Sequence, residues 1–142
     1  MKGFDFDAVV QYRDKLASTE KDFTAFISDF LLEMGLRALA KATKNTDATK
    51  DSLQNPTVRT RHLKGSWDLK EVKVDGINVS ITIYNTADYA EYVEYGHRYR
   101  TKDGWGYTRP YYMLTRSIKD IEKEIPKRFN MQFTKFLKEH GL

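Results

Sequence analysis

Glu91 and Glu94, three residues apart, have the spacing best suited to acid–base chemistry in this sequence. Two carboxylates on one helical face can divide into an acid and a base when burial separates their pKa values. The simpler reading of the same spacing is a solvated helix face. The three histidines, His62, His97 and His140, are far apart. None has the two-histidine helical spacing of a zinc site, and the absence of cysteine removes thiolate ligands and nucleophiles. No Gly-x-Ser-x-Gly turn exists, and Gly65-Ser66-Trp67 leads into a strand rather than a nucleophile elbow. The Gly-Trp-Gly around Trp105 is too short to cradle phosphates. The sequence therefore points to no catalytic residue, no cofactor and no metal set, and the expected protein is not an enzyme.

What remains is a run of cations set among rings. Arg98, Tyr99, Arg100, Trp105, Tyr107 and Arg109 interleave guanidinium groups with aromatic faces, and residues 97–128 hold nine Lys or Arg against four acids. Stacking on bases together with phosphate contacts would use such a pattern. Lys50, Arg59, Arg61 and Lys64 add to it from an earlier segment. Tyr, Trp and Arg are equally the residues enriched at protein interfaces, where a rigid ring or planar fork gives much contact at little ordering cost. Composition leaves two readings open: a small nucleic-acid-binding domain built on an Arg and aromatic hairpin, or a contact surface for other protein subunits.

The elements that would position these residues follow from periodicity. Phe23, Phe26, Ile27, Phe30, Leu31 and Met34 recur at steps of three and four, predicting an amphipathic helix from Thr19, its expected start, to about Lys44. A shorter helix over Phe6 to Leu16 is expected before it, joined around Ser18. Residues 45–62 lack apolar periodicity and contain Pro56, which reads as a long mobile loop. Ile77, Val79, Ile81 and Ile83 then alternate with polar residues as in a half-buried strand. Asp75-Gly76 suits a two-residue hairpin turn that sets Val74 against Ile77 and Val72 against Val79. That register would turn Lys70 inward, so a bulge near Lys70 and Glu71 is predicted, returning Leu69 and Trp67 to the core side.

Asn85-Thr86 can cap a short helix with Tyr89, Tyr92 and Val93 on a packed face and Asp88, Glu91 and Glu94 on the other, ending at Gly96. A second hairpin is expected at about 97–109 around Lys102-Asp103-Gly104. A last helix is expected from about Pro110, with Leu114, Ile118, Ile121 and Ile125 inward and a kink or break at Pro126. Tyr89, Tyr92, Tyr112 and Trp67 are expected to pack in the core. At 142 residues these elements fit one domain over 1–142. No apolar run approaches a membrane span, and the amino terminus does not resemble a signal peptide. The net charge of +4 permits nucleic-acid binding without requiring it.

The order of features from Ser66-Trp67, through the strand ending at Asn85, to Tyr89-Ala90 and Tyr92-Val93-Glu94-Tyr95-Gly96-His97-Arg98 resembles the HK-ninety-seven gene-product-ten-like family of tailed-phage proteins. The stretch Arg109 to Thr115 leading into a terminal helix is similar to it as well. The resemblance implies an α+β fold, a small antiparallel sheet of about four strands packed by a long N-terminal helix and a C-terminal helix. It implies a structural subunit of a phage or prophage particle, acting in tail completion or head–tail joining at the neck. Such a protein would be found in the virion after assembly in the bacterial host cytoplasm. Its partners would be other copies of itself in a ring, often sixfold, and the neighbouring connector, neck and tail proteins, with incidental contact with genome DNA and none with membrane. In that role the second hairpin and the 45–62 loop would contact adjacent subunits or the next ring, Glu94 would pair with a basic residue, His97 and Arg98 would direct the chain out of the helix, and Trp105 would be an anchor at the hairpin tip. Arg100, Tyr107, Arg109, Arg59 and Arg61 would complete the partner-binding set.

Overall fold

The computed structural model describes residues 6–47, 56–75 and 78–142. Its elements, in order, are α1 (Phe6–Thr46), α2 (Pro56–Gly65), β1 (Trp67–Leu69), β2 (Lys73–Asp75), β3 (Asn78–Ser80), β4 (Ile83–Asn85), α3 (Ala90–Tyr95), β5 (His97–Thr101), β6 (Gly104–Thr108) and α4 (Met113–Glu139). This is the expected α+β arrangement of two long helices and short antiparallel strands. The strands form three two-stranded ladders among the described residues, β1 with β4, β2 with β3 and β5 with β6, rather than a sheet of about four.

Helix α1 is continuous over 41 residues, with no joint at Ser18. The Thr19 hydroxyl donates back to the carbonyl of Lys15 at 2.8 Å instead of capping a new helix. A hydroxyl bonded inside the preceding turn satisfies itself without interrupting the backbone ladder. Antiparallel to α1 lies α4, and the two share a row of rings. Phe30 and Phe129 meet edge to face at 5.4 Å, as do Phe23 and Phe133 at 5.7 Å, and Phe26 and Phe136 lie tilted at 5.1 Å. Phe30, Met34, Ala38 and Ile121 form the buried centre of this seam. Its rim is polar: Lys41 lies 3.8 Å from Asp120 and 3.7 Å from Glu124, which also takes Arg128 at 3.3 Å.

Pro126 does not break α4, which runs unbroken from Met113 to Glu139. Proline removes one amide donor, and at this exposed position the carbonyl left without it can face water.

The two ladders between α2 and α3 form one bent ribbon. Trp67 pairs with Asn85 and Leu69 with Ile83, while Lys73 pairs with Ser80 and Val74 with Val79. Three residues, 70–72, therefore oppose two, 81–82, the extra residue expected near Lys70 and Glu71. Trp67 and Leu69 are half-buried as a result. The far register differs from expectation: Val74 faces Val79 and Asp75 faces Asn78, while Gly76 and Ile77, on which the expected turn and the Val74–Ile77 pairing partly fall, lie outside the described residues. The ribbon packs on α1, where a Cβ on Gly35 would stand 2.7 Å from the Ile81 side chain. A glycine inside a helix costs about 1 kcal/mol relative to alanine, and this one allows the ribbon to approach.

The segment expected as a loop over 45–62 is largely something else. Helix α1 extends to Thr46, residues 48–55 lie outside the described set, and Pro56–Gly65 is helix α2. Proline at a first helical position is pre-organised for it, and α2 brings the wholly buried Leu63 into a second core with Ala87, Val93, Tyr111 and Met113. Trp67 packs against this core and donates its indole N–H to Thr46 Oγ1 at 2.8 Å.

Candidate contact surface

Glu94 is the pivot of this region. It is 6% exposed, not on a solvated face, and it binds backbone rather than a basic side chain. Its carboxylate accepts from the amides of Leu114 and Thr115, each at 2.9 Å, and from the Thr115 hydroxyl at 2.8 Å. Those amides are the second and third of α4, the positions an N-cap side chain normally serves. The residue at the cap, Tyr112, has φ 49° and makes no side-chain capping bond. Glu94 thus caps α4 from another element, and its negative charge suits the positive end of the helix dipole. The amides of Tyr111 and Tyr112 donate to the carbonyls of Val93 and Glu94, at 3.1 and 3.0 Å. This tie holds residues 110–112 outside the helix, so α4 starts at Met113 and not near Pro110.

Helix α3 is accordingly turned from its expected orientation. Val93 and Glu94 face inward, while Tyr92 and Tyr95 are 58% and 60% exposed and Asp88 and Glu91 lie at the surface. Tyr112 is also exposed, and the buried ring is Tyr111. Asn85 does not cap α3. Its Oδ1 accepts from the amide of Ala87 at 2.9 Å and its Nδ2 donates to the Leu63 carbonyl at 2.8 Å, a turn placed ahead of the helix.

From Gly96 the chain leaves α3 into the hairpin of β5 and β6. Gly96 has φ 75°, and a Cβ there would lie 2.5 Å from the Thr108 carbonyl oxygen and 2.9 Å from the nitrogen of Pro110. The pairing sets Arg98 against Tyr107 and Arg100 against Trp105. Directly opposed residues share a face and alternate positions repeat it, so these four side chains stand together on one side. The guanidinium groups of Arg98 and Arg100 lie over the Trp105 ring, 5.0 and 5.5 Å from its centre. Trp105 and Tyr107 remain 62% and 64% exposed. The opposite side carries His97 and Tyr99, and the His97 ring lies 5.5 Å from Tyr92 and 6.3 Å from Tyr99. His97 Nδ1 is buried without a hydrogen-bond partner. Arg109, beyond β6, lies over Tyr111 at 4.6 Å.

Of the residues marked by the sequence as partner-binding, the structure therefore gathers Arg98, Arg100, Trp105 and Tyr107 on one face. It places Arg109 beside their base and gives Glu94 a supporting role beneath them. Arg61 is exposed on α2, a different element, and the side chain of Arg59 lies outside the described residues. Tyr92 and Tyr95, missed as surface residues, had only their spacing around Glu91 as a signal. Among the described residues no group of three His, Asp or Glu side chains is placed to hold a metal ion. No described helix is long and apolar enough to cross a membrane.

A two-helix seam bearing a small β ribbon and an exposed Arg and aromatic hairpin defines an α+β protein. The chain belongs to the HK97-gp10-like family of bacteriophage tail components, whose match spans residues 11–96, more than half of its length. That span runs from α1 through α3 and stops where the hairpin begins. Among curated proteins and among solved structures, none matches the chain.

Proposed function

We propose that this protein is a structural, non-catalytic subunit that acts in tail completion or head–tail joining, as part of a ring at the phage neck, and that the β5–β6 hairpin is its contact surface. The observation that supports this most directly is the exposed face of Arg98, Arg100, Trp105 and Tyr107 on a hairpin whose base is fixed by Gly96 and Glu94. A two-stranded hairpin is marginally stable alone in water, and burying this face against a neighbour supplies what it lacks. Large rings and guanidinium groups are the usual anchors of such contacts.

The test is complementation of a phage or prophage lacking this protein. Chains with Trp105→Ala and Tyr107→Ala should accumulate folded but leave heads and tails unjoined by electron microscopy. Normal yields of infectious particles from that variant would end the proposal. The unpaired guanidinium groups also leave a nucleic-acid reading with a clear signature: duplex DNA bound tightly by the wild type, with affinity falling steeply as salt rises.

A further inference from the structure

The sequence around the hairpin is divided by charge. From Val74 to Gly96 there are four acids and no Lys or Arg, whereas residues 97–109 hold four Lys or Arg and one acid. These two blocks do not neutralise each other within the described chain. No described carboxylate lies within ion-pairing distance of Arg98 or Arg100, although the bases of the α1–α4 seam, such as Arg37 and Lys41, are matched by acids. The reason is geometric. Tyr92 of α3 packs beside His97, on the hairpin side that also carries Tyr99, while Arg98, Arg100, Trp105 and Tyr107 project from the other side. The exposed α3 surface, with Asp88, Glu91, Tyr92 and Tyr95, thus adjoins the side opposite to the cationic face.

Two surfaces of opposite charge, each with exposed rings, that point away from each other cannot meet in one copy and can meet between copies. We propose that the Arg98–Arg100–Trp105–Tyr107 face of one copy docks on the surface formed by Glu91, Tyr92 and Tyr95 of α3 and Asp88 of the turn before it in the next, head to tail. The inference rests on the subunit role proposed above and adds which surfaces meet. A contact between two different patches propagates, closing into a ring or extending as a filament according to the rotation at each step. Charge complementarity fixes its register and raises its rate of formation. A nucleic-acid occupant would account for the cationic face but not for the oppositely charged, ring-bearing surface that the same chain exposes at Glu91, Tyr92 and Tyr95, which a second copy accounts for as well.

Reversal of each surface tests the pairing. Self-association of the full chain is measured by sedimentation at low and high salt for the wild type, for Arg98→Glu with Arg100→Glu, and for Asp88→Lys with Glu91→Lys, with circular dichroism confirming the fold. The wild type should associate in a salt-sensitive manner, each reversed pair alone should associate roughly tenfold or more weakly, and an equal mixture of the two should recover association. Recovery in the mixture is the decisive result, because each hairpin then meets an oppositely charged α3 surface and general loss of fold cannot produce it. A wild type that stays monomeric at low salt up to its solubility limit overturns the head-to-tail pairing. So do reversed chains that associate as the wild type does, or a mixture without recovery. Loss of DNA binding in the Arg98 and Arg100 variant, with association unchanged, would assign the face to nucleic acid. Failure of the pairing in a chain that still joins heads to tails would leave the subunit role standing, and failure to join them would remove it.

Discussion

Glu94 and His140 show how one side chain can tie distant parts of this chain together. A carboxylate accepting three hydrogen bonds at a helix start, with little exposure, leaves those donors unsatisfied when removed. Glu94→Ala is expected to destabilise the fold by about 2–3 kcal/mol, with Glu94→Gln in between, as read from urea unfolding. His140 sits at the end of α4 with Nδ1 2.9 Å from the Phe136 carbonyl and Nε2 3.0 Å from the Asp22 carboxylate of α1. Both neighbours are acceptors, so both ring nitrogens are satisfied only as donors, in the imidazolium form. The Phe136 carbonyl first, then Asp22, raise its pKa above the ordinary 6.5, with burial working weakly against them. In the unfolded chain the ordinary value returns. The stabilisation is therefore complete below about pH 6.5 and is lost as pH rises through the higher folded value. Unfolding midpoints measured across that window should fall with rising pH in the wild type, and His140→Gln should flatten the slope.

At the scale of elements, the boundaries are set by single backbone positions. Gly96 joins α3 to β5 at φ 75° with carbonyl and nitrogen atoms against its missing side chain. Gly96→Ala forces a side chain into a backbone conformation, φ 75° and ψ 167°, essentially reserved for glycine, at about 1–3 kcal/mol, and adds a clash with backbone, so thermal unfolding should shift well below that of the wild type. Within α4, Pro126 is exposed and helical. Pro126→Ala restores an amide donor and improves helix propensity, which should raise stability by about 1–3 kcal/mol in the same assay. Helix α2 is held through Leu63, which is 0% exposed. Leu63→Ala should cost about 2–5 kcal/mol.

For the whole molecule, the expectation is that the cores and the contact face are separable. The two cores lie along α1–α4 and beneath α2, β1 and α3, and none of Arg98, Arg100, Trp105 or Tyr107 belongs to them. Replacing all four with Ser should leave the urea midpoint near that of the wild type while abolishing particle assembly. A large loss of stability in that variant would mean that the face is part of the core.

Much of this architecture was legible in the sequence because local period reports which face of an element is apolar. The Phe23 to Met34 stripe, the alternation of Val79, Ile81 and Ile83, the bulge beside Lys70 and the Arg and aromatic hairpin all follow from spacing and turn chemistry. Those features depend on neighbours a few residues apart. The rotation of α3, the late start of α4 and the helical state of 56–65 depend on contacts between residues distant in sequence. Six residues are too few for period alone to orient α3, and only the amides of Leu114 and Thr115 turn Glu94 inward and Tyr92 outward. The same rotation decides that the acidic surface and the cationic hairpin face in opposite directions, which charge counting along the chain could not reveal.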